Sequence, residues 1–130
     1  MKPRWLPVPG RDIPTGFDTP RLRVRMLTIH DAVKDYDAVM SSRTQLRGVF
    51  PGSDWPRDDL TLEQDVIDLA WHQKEFQIGS SYTFTVVSPD EARVLGCLYL
   101  FPPTQDGCEA DLIAWVRSDE GGTGLEPHLW

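Results

Sequence analysis

Apolar and polar side chains alternate strictly in the segment that begins at Arg21. Leu22, Val24 and Met26 share one face, and three arginines share the other. This period of two residues predicts a half-buried strand, whose arginines either hold an anionic ligand or form the charged outer face of an edge strand. The twenty residues before it contain five prolines, each of which fixes φ and lacks a backbone donor. We therefore expect residues 1–20 to form an extended arm.

A helix with a defined start follows the first strand. Thr28 and Asp31 form a capping pair, in which a hydroxyl and a carboxylate satisfy the first backbone N–H groups of the helix. Apolar residues then recur at a spacing of three and four until Ser41 and Ser42, as in an amphipathic helix. The sequence thus predicts a first helix with one face against a core.

A second helix is separated from the first by an irregular segment. Residues 47–59 contain two glycines and two prolines, which favour turns, and we expect Phe50 and Trp55 to anchor this segment. A capping box that begins at Thr61 starts the second helix, and Gly79 ends it.

After this helix the apolar period changes to two residues. Three segments rich in β-branched and aromatic residues are separated by turn residues, which predicts a meander of strands over Tyr82–Val87, Val94–Phe101 and Ala110–Arg117. The middle segment is apolar on both faces, as expected of an interior strand that is covered on both sides. The predicted fold class is α+β, a sandwich-like arrangement of two helices on a mostly antiparallel, mixed sheet of about four strands. We expect all 130 residues to form one domain.

The connection between the last two strands decides which residues face each other. If it is centred near residues 104–105, Tyr99 lies opposite Asp111. A phenol that faces a carboxylate either positions a proton for catalysis or forms a cross-strand polar contact. The same register places Cys97 several residues along the ladder from Cys108, so no disulfide is expected between them.

Composition and charge narrow the classes of function. Twenty acidic residues against 13 basic residues give a net charge of −7, which disfavours binding to nucleic acid or anionic membranes. No apolar run approaches the ~20 residues that cross a bilayer. The two cysteines are too few for a disulfide-built fold, and the three histidines lack metal-binding spacing, so no metal site is predicted. We expect a cytoplasmic protein.

A glycine-rich segment follows the last predicted strand. Gly121, Gly122 and Gly124 precede apolar residues at helical spacing, so the order is strand, loop and helix start. N–H groups that turn inward in such a loop, together with a helix start, hold phosphate oxygens. The same glycines also serve simply to close a turn, so the loop alone leaves both interpretations open.

The order of these elements resembles the GNAT superfamily of N-acetyltransferases. The resemblance runs over roughly residues 17–130 and rests on the opening TPRLRVR with Asp31 and Ala32 after it, the hairpin SYTFTVVSPDEARVLGCLYL, and the strand ADLIAWVR before the glycine loop. It implies an acyl-CoA N-acyltransferase fold, acetyl-coenzyme A as co-substrate, and a small-molecule or peptide amine as acceptor. The implied reaction is acetyl transfer after a base has removed a proton from the amine.

The resemblance also implies roles for residues at the end of the sheet. In the family, the pantetheine arm pairs with the end of the fourth strand, and the following loop and helix start receive the pyrophosphate. The implied cofactor-binding positions are Trp115, Val116, Arg117, Gly121, Gly122, Thr123 and Gly124. The implied catalytic positions are Glu109 or Asp111 as the base, with Tyr99 as a neighbour.

Two departures from the family pattern favour a different function. Glu126 brings a negative charge to the place where phosphate is expected, and only Gly124 agrees with the loop pattern of the family. The sequence also ends at Trp130, inside the third helix of the pattern, so we expect the C-terminal part of the fold to be missing. The alternative function is a catalytically inactive GNAT-like module that acts through association, with pairing of sheet edges in a homo-oligomer. An unrelated α+β ligand-binding fold is a third interpretation.

Overall fold

The computed structural model describes residues 16–50, 52–102 and 111–117, which form one five-stranded sheet with helices against it. The strands follow chain order across the sheet, and each described pairing is antiparallel. The elements are β1 (Gly16–Asp18), β2 (Arg23–Met26), α1 (Ala32–Ser41), α2 (Arg43–Leu46), α3 (Leu62–Ile78), β3 (Tyr82–Val87), β4 (Val94–Phe101) and β5 (Asp111–Val116). The α+β class is confirmed, with five described strands instead of about four.

The additional strand, β1, lies inside the segment predicted to be an extended arm. Gly16 pairs with Arg25, so β2 is an interior strand and the prediction of an edge strand there is wrong. Glycine permits this approach, because a Cβ at Gly16 would lie 2.3 Å from the carbonyl oxygen of Val24. A strand of three residues is too short to show an alternating pattern, so the sequence gives no sign of it. The rest of the predicted arm, residues 1–15, lies outside the described residues.

Both predicted helix starts are confirmed. Thr28 and Asp31 form a reciprocal capping box at a short 3₁₀ turn that leads into α1. At the start of α3, the Gln64 N–H donates to Thr61 Oγ1 at 3.1 Å and the Thr61 N–H donates to Gln64 Oε1 at 2.9 Å. Gly79 ends α3 with a φ of 80°, a conformation that glycine adopts without steric cost.

The helices α1 and α3 lie on one face of the sheet, here called the helix face. Cys97 Sγ on β4 donates to Asp35 of α1 at 3.7 Å, and Thr83 Oγ1 on β3 contacts His72 Nδ1 of α3 at 3.1 Å. Thr83 pairs with Tyr99, which lies two residues from Cys97, so all three strand residues share this face. The buried core beneath the helices consists of Ala38, Val39, Leu46, Val87, Val94, Cys97, Tyr99 and Trp115.

The opposite face of the sheet carries a second apolar cluster. Its buried members are Leu22, Val24, Tyr82, Phe84, Val86 and Leu95. Phe76 of α3 contacts two of them, with its ring centroid 5.1 Å from that of Tyr82 and 5.3 Å from that of Phe84. Burial on both faces confirms that Val94–Phe101 is an interior strand. Within the described ranges, none of the helices has the length and apolar character needed to cross a membrane.

Candidate functional site

Tyr99 and Asp111 do not face each other, and the predicted register is wrong. Tyr99 pairs with Ile113, and Asp111 pairs with Phe101. The two polar residues therefore lie two positions apart along the ladder, although both point to the helix face. The prediction fails because it placed the centre of the β4–β5 connection too early in the chain, and strand pattern alone does not fix that centre.

Tyr99 is a buried phenol with a defined hydrogen-bond partner. It is 4% exposed, and its oxygen accepts a hydrogen bond from Nε1 of Trp115 at 2.9 Å. Burial, with the neighbouring Cys97 and Asp35 adding to it, raises the pKa of Tyr99 well above its usual value. The phenol therefore keeps its proton at neutral pH, which suits it to hold a fixed hydrogen bond and not to act as a base.

Aromatic residues from the segment between α2 and α3 cover this part of the helix face. The ring of Phe50 stands edge-on to that of Tyr99, with centroids 4.9 Å apart. The ring centroid of Trp55 lies 6.4 Å from that of Trp115. Both predicted anchors are confirmed, and they shield the helix face of β4 and β5 from solvent.

In the described part of the sheet, β5 is an edge strand. The N–H of Arg117 donates to the carbonyl oxygen of Leu95 on β4 at 2.8 Å. Because hydrogen-bonded positions alternate in an antiparallel ladder, the backbone groups that point away from β4 are those of Leu112, Ala114 and Val116. This row of N–H and C=O groups, here called the β5 edge, can pair with an extended ligand that carries amide groups.

The three residues expected to bind pantetheine differ in whether their backbone or side chain is directed to the β5 edge. Val116 directs its backbone to the β5 edge, whereas Trp115 is a buried core residue. The side chain of Arg117 is also buried, donates to the carbonyl oxygen of Val94 at 3.2 Å, and lies 3.4 Å from the carboxylate of Asp37. Arg117 therefore ties β4 and β5 to α1 through its side chain.

Several of the predicted site residues lie outside the described residues. They are Glu109, Gly121, Gly122, Thr123 and Gly124. Their roles as base and as phosphate loop accordingly stay predictions. Asp111 is described, and it lies half-buried at the start of β5.

The arginine face of β2 is occupied by acidic side chains. Arg25 makes two hydrogen bonds to the carboxylate of Asp31, at 2.7 and 3.0 Å. Glu91, from the β3–β4 turn, accepts from Arg23 at 2.7 Å and from Arg25 at 3.0 Å. These ion pairs tie the strand to the start of α1, so Arg23 and Arg25 have a structural role.

A pair of buried carboxyl groups lies between the two helices, and the sequence analysis did not identify it. Asp35 of α1 is 3% exposed, Asp65 of α3 is 1% exposed, and each lies close enough to influence the ionisation of the other. Burial and the proximity of a second carboxylate both disfavour the charged form, so they favour a proton on at least one of the two groups. Burial raises the pKa of Asp65 to about 6, and burial together with the charge of Asp65 raises the pKa of Asp35 well above its usual value. This pair can hold a proton inside the domain.

The sequence does contain one signal for the burial of these carboxyl groups, which is their position in the helical repeat. Asp35 lies three residues after Ala32 and four before Val39, which are both buried. Asp65 lies four residues before Leu69, the buried apolar residue of α3. An acidic residue at a core position of a helix indicates either a partner or a raised pKa, because an isolated buried carboxylate is costly.

Solved acetyltransferase structures have a similar fold. A ribosomal-protein-S5-alanine acetyltransferase from Vibrio fischeri matches with a TM-score of 0.69 at 19% identity, over 90% of this chain and 62% of that one. RimL, a ribosomal L7/L12 alpha-N-protein acetyltransferase in complex with coenzyme A, matches with a TM-score of 0.66 at 16% identity, over 88% and 60% of the two chains. The microcin C7 self-immunity acetyltransferase MccE, in complex with acetyl-CoA and AMP, matches with a TM-score of 0.65 at 13% identity. The match covers 90% of this chain and 63% of that one.

The fold of the chain is therefore that of the GNAT-family acetyltransferases, as the sequence resemblance implied. The chain spans less than two thirds of the length of each of these proteins. No family model matches the sequence, and no curated protein matches it either.

Proposed function

We propose that the protein is an N-acetyltransferase that moves an acetyl group from acetyl-coenzyme A to an amine. The observation that carries the proposal is the β5 edge, which borders the described part of the sheet and has the backbone of Val116 directed outward. The amide groups of a pantetheine arm match the spacing of an extended strand, so an open strand edge is a suitable partner for it.

We expect this co-substrate to be held at two places, the first on β5 and the second in a loop outside the described residues. Val116 would pair through its backbone with a pantetheine amide, and the N–H groups of Gly121, Gly122, Thr123 and Gly124 would receive the pyrophosphate. When bound, acetyl-coenzyme A supplies an activated acetyl thioester. The buried side chain of Arg117 holds the end of β5 against β4 and α1, which keeps the edge in place.

The base in this proposal is Asp111 or Glu109. An ammonium ion is not nucleophilic, so one of these carboxylates, directly or through water, takes a proton from the acceptor. The neutral nitrogen would then form a bond to the acetyl carbon and lose a second proton, while the carbon–sulfur bond breaks and the departing thiolate takes up that proton. Tyr99 keeps its own proton throughout, because burial raises its pKa.

The acceptor in the proposal is a small-molecule or peptide amine, and the location is the cytoplasm. Two of the similar structures are acetyltransferases of ribosomal proteins, and one is a microcin immunity enzyme. A net charge of −7 favours encounter with cationic amines. In a reducing compartment the buried thiol of Cys97 stays reduced.

Thermal unfolding of the full chain with acetyl-coenzyme A tests the proposal. At 100 times its dissociation constant, a ligand that binds only the folded state adds ~2.7 kcal/mol to stability. The variant Val116→Pro removes the outward N–H without removing a β4 ladder bond, and we expect it to weaken acetyl-coenzyme A binding at least tenfold. Leu112→Pro removes an equivalent N–H at the other end of the β5 edge, and is the matched control that keeps its affinity. The absence of any shift at millimolar acetyl-coenzyme A would contradict the proposal.

The second candidate is an inactive module of the same fold that acts through association at its sheet edge. Glu126 favours it, because a carboxylate beside the expected phosphate position repels the pyrophosphate. The variant Glu126→Gln separates the two functions. An enzyme gains affinity for acetyl-coenzyme A in this variant, whereas an associating module has no affinity before or after the change and forms concentration-dependent dimers in analytical ultracentrifugation.

A further inference from the structure

The side of α3 that faces solvent carries large apolar side chains. Ile67 is 56% exposed and Trp71 is 57% exposed, and Leu62 and Val66 are also exposed. The buried side of the same helix carries the carboxyl group of Asp65. A helix that only covers a core has its apolar residues on the inner face, so this pattern indicates a further contact at the outer face.

The turn that leads into α1 extends this exposed apolar surface. Ile29 and Val33 are exposed, and the Ile29 N–H donates to Gln73 Oε1 of α3 at 3.0 Å, so the start of α1 lies beside α3. Soluble monomers rarely expose a large contiguous apolar patch, and such a patch marks an interaction site. We propose that two copies of this chain pack together here, with their α3 helices antiparallel about a two-fold axis that passes between residues 68 and 69.

The outer face of α3 has a spacing that is the same when read from either end. Glu63, Ile67, Ala70 and Lys74 are all exposed and are separated by four, three and four residues, so they form one stripe along the helix. A two-fold contact requires a surface that is complementary to itself, and this stripe meets that requirement. In the proposed pair, each Ile67 faces Ala70 of the second copy, and each Trp71 faces Val66 of the second copy.

The surface of the stripe has a depression that can receive a side chain. Its volume is about 240 Å³, and it is lined by Ile67, Ala70, Trp71 and Lys74. The small side chain of Ala70 lets a second helix approach closely at this point. Ile67 of the second copy lies opposite Ala70 in the proposed pair, so it would fill the depression as a side chain fills the gap between residues of a facing helix.

Charge favours a second copy of this chain as the occupant and sets the direction of packing. The antiparallel arrangement places Glu63 opposite Lys74 of the second copy, and the two-fold axis gives this pair twice. The Lys74 Nζ lies over the Trp71 ring, 4.9 Å from the centroid, but an ammonium group has three donors and can contact a carboxylate as well. Exposed ion pairs contribute little free energy, so apolar burial supplies most of the affinity and the charges select the orientation.

Sedimentation velocity of the full chain over a range of concentrations tests this inference. We expect a reversible equilibrium between monomer and dimer. Ile67→Lys places a charge in the centre of the contact on a side chain that is already exposed, and it should raise the dissociation constant at least tenfold. Leu112→Lys is the matched control, because it makes the same type of change at an exposed apolar residue of β5 and should leave the dissociation constant unchanged.

Charge reversal tests the proposed orientation. Glu63→Lys and Lys74→Glu each place like charges opposite one another, and each should raise the dissociation constant at least threefold at low ionic strength. The double variant places opposite charges together again, so it should return to the dissociation constant of the wild type. These side chains are exposed, so we expect all three variants to fold.

Cross-linking gives a direct measure of the contact. A carbodiimide joins a carboxylate directly to an amine, and Glu63 and Lys74 of one helix lie roughly 16 Å apart along its axis, too far for such a link. A Glu63–Lys74 link found by mass spectrometry must therefore join two copies, and we expect it in the dimer. Acetyl-coenzyme A is absent from these measurements, so their result is independent of the proposed transferase activity.

Several outcomes would overturn the inference. A chain that stays monomeric at millimolar concentration would mean that residues 1–15 or a different protein covers this surface. A dimer that is lost in Leu112→Lys and kept in Ile67→Lys would place the association at β5. A double charge variant that dimerises no better than the single variants, or a dimer without the Glu63–Lys74 link, would contradict the antiparallel arrangement.

Discussion

The indole N–H of Trp115 donates to the phenol oxygen of Tyr99 across 2.9 Å, and both side chains are buried. The two residues belong to adjacent strands, but they do not form a direct cross-strand pair, since Trp115 pairs with Cys97. Tyr99→Phe would leave the indole N–H without its acceptor. We expect a loss of about 1–3 kcal/mol in the free energy of unfolding, measured by urea denaturation.

A double-mutant cycle with Trp115→Phe is the control for this prediction. If the hydrogen bond is responsible, the double variant loses less stability than the sum of the single variants, because each single change leaves one polar group unpaired. Additive losses would show that Tyr99→Phe acts through packing alone. Under the proposed function, Tyr99→Phe keeps the pH dependence of kcat/KM, because a carboxylate takes the proton from the acceptor.

The buried pair Asp35 and Asp65 predicts a stability that falls as pH rises. Burial raises the pKa of Asp65 to about 6, whereas an aspartate in an unfolded chain titrates near ~3.9. Between about pH 4 and 6 the folded state retains a proton that the unfolded state releases, so the folded state becomes relatively less stable. The expected decline for Asp65 is on the order of 2–3 kcal/mol, and the raised pKa of Asp35 changes the stability in the same direction.

Asp65→Asn tests this prediction, because the amide keeps the shape of the carboxyl group and does not ionise. We expect the variant to be less sensitive to pH above 4 and more stable than the wild type at pH 7, as measured by urea denaturation at several pH values. Asp90→Asn is the contrasting variant. Hydrogen bonds from Ser88 and the Ala92 backbone lower the pKa of Asp90, so its contribution is lost as pH falls below about 4. A wild-type stability that rises between pH 4 and 7 would contradict the role given to Asp65.

Local signals in the sequence were sufficient for the helix starts and insufficient for the strand register. The boxes at Thr28 and Thr61 each need only four consecutive residues, so a short motif determines them. The pairing of β4 with β5 depends on the conformation of the connection between them, which composition does not fix. That is why Tyr99 was expected opposite Asp111 and lies opposite Ile113.

The sequence predicted only part of the candidate site, for a different reason. A carboxylate is normally a surface group, so the sequence pattern predicts that Asp35 and Asp65 lie on the polar, exposed faces of amphipathic helices. Their burial follows from the way in which α1 and α3 pack together on the sheet, which is a tertiary property. The strand predicted over residues 110–117 is described as β5, Asp111–Val116, because its alternating pattern is local to the sequence, whereas the binding role of Val116 stays a prediction.

Cys97 is predicted to be chemically unreactive in the folded protein. It is 1% exposed, and burial raises the pKa of its thiol well above the usual value. Since the thiolate is the reactive form, iodoacetamide should modify Cys97 at pH 8 only after unfolding. The measurement is mass spectrometry of Cys108→Ser, a variant in which Cys97 is the only cysteine of the sequence. Rapid modification of this variant under native conditions would mean that β4 is open to solvent.

Gly96 connects the packing of the sheet to the proposed co-substrate site. A Cβ at this position would lie 2.1 Å from the carbonyl oxygen of Trp115, a contact that real Cβ atoms do not make. Gly96→Ala therefore forces β4 and β5 apart, at a cost of about 2 kcal/mol or more, and displaces the backbone of Val116. Gly16→Ala creates a similar contact, 2.3 Å from the carbonyl oxygen of Val24, at the opposite edge of the sheet.

The two glycine variants together separate a local effect from a general loss of stability. We expect both to unfold at lower urea concentration than the wild type, and only Gly96→Ala to bind acetyl-coenzyme A more weakly, by at least tenfold in titrations at 15 °C where both remain folded. The difference follows from position, because β1 lies four strands away from β5. Equal weakening in the two variants would mean that binding follows overall stability. It would contradict the proposal that acetyl-coenzyme A binds at the β5 edge.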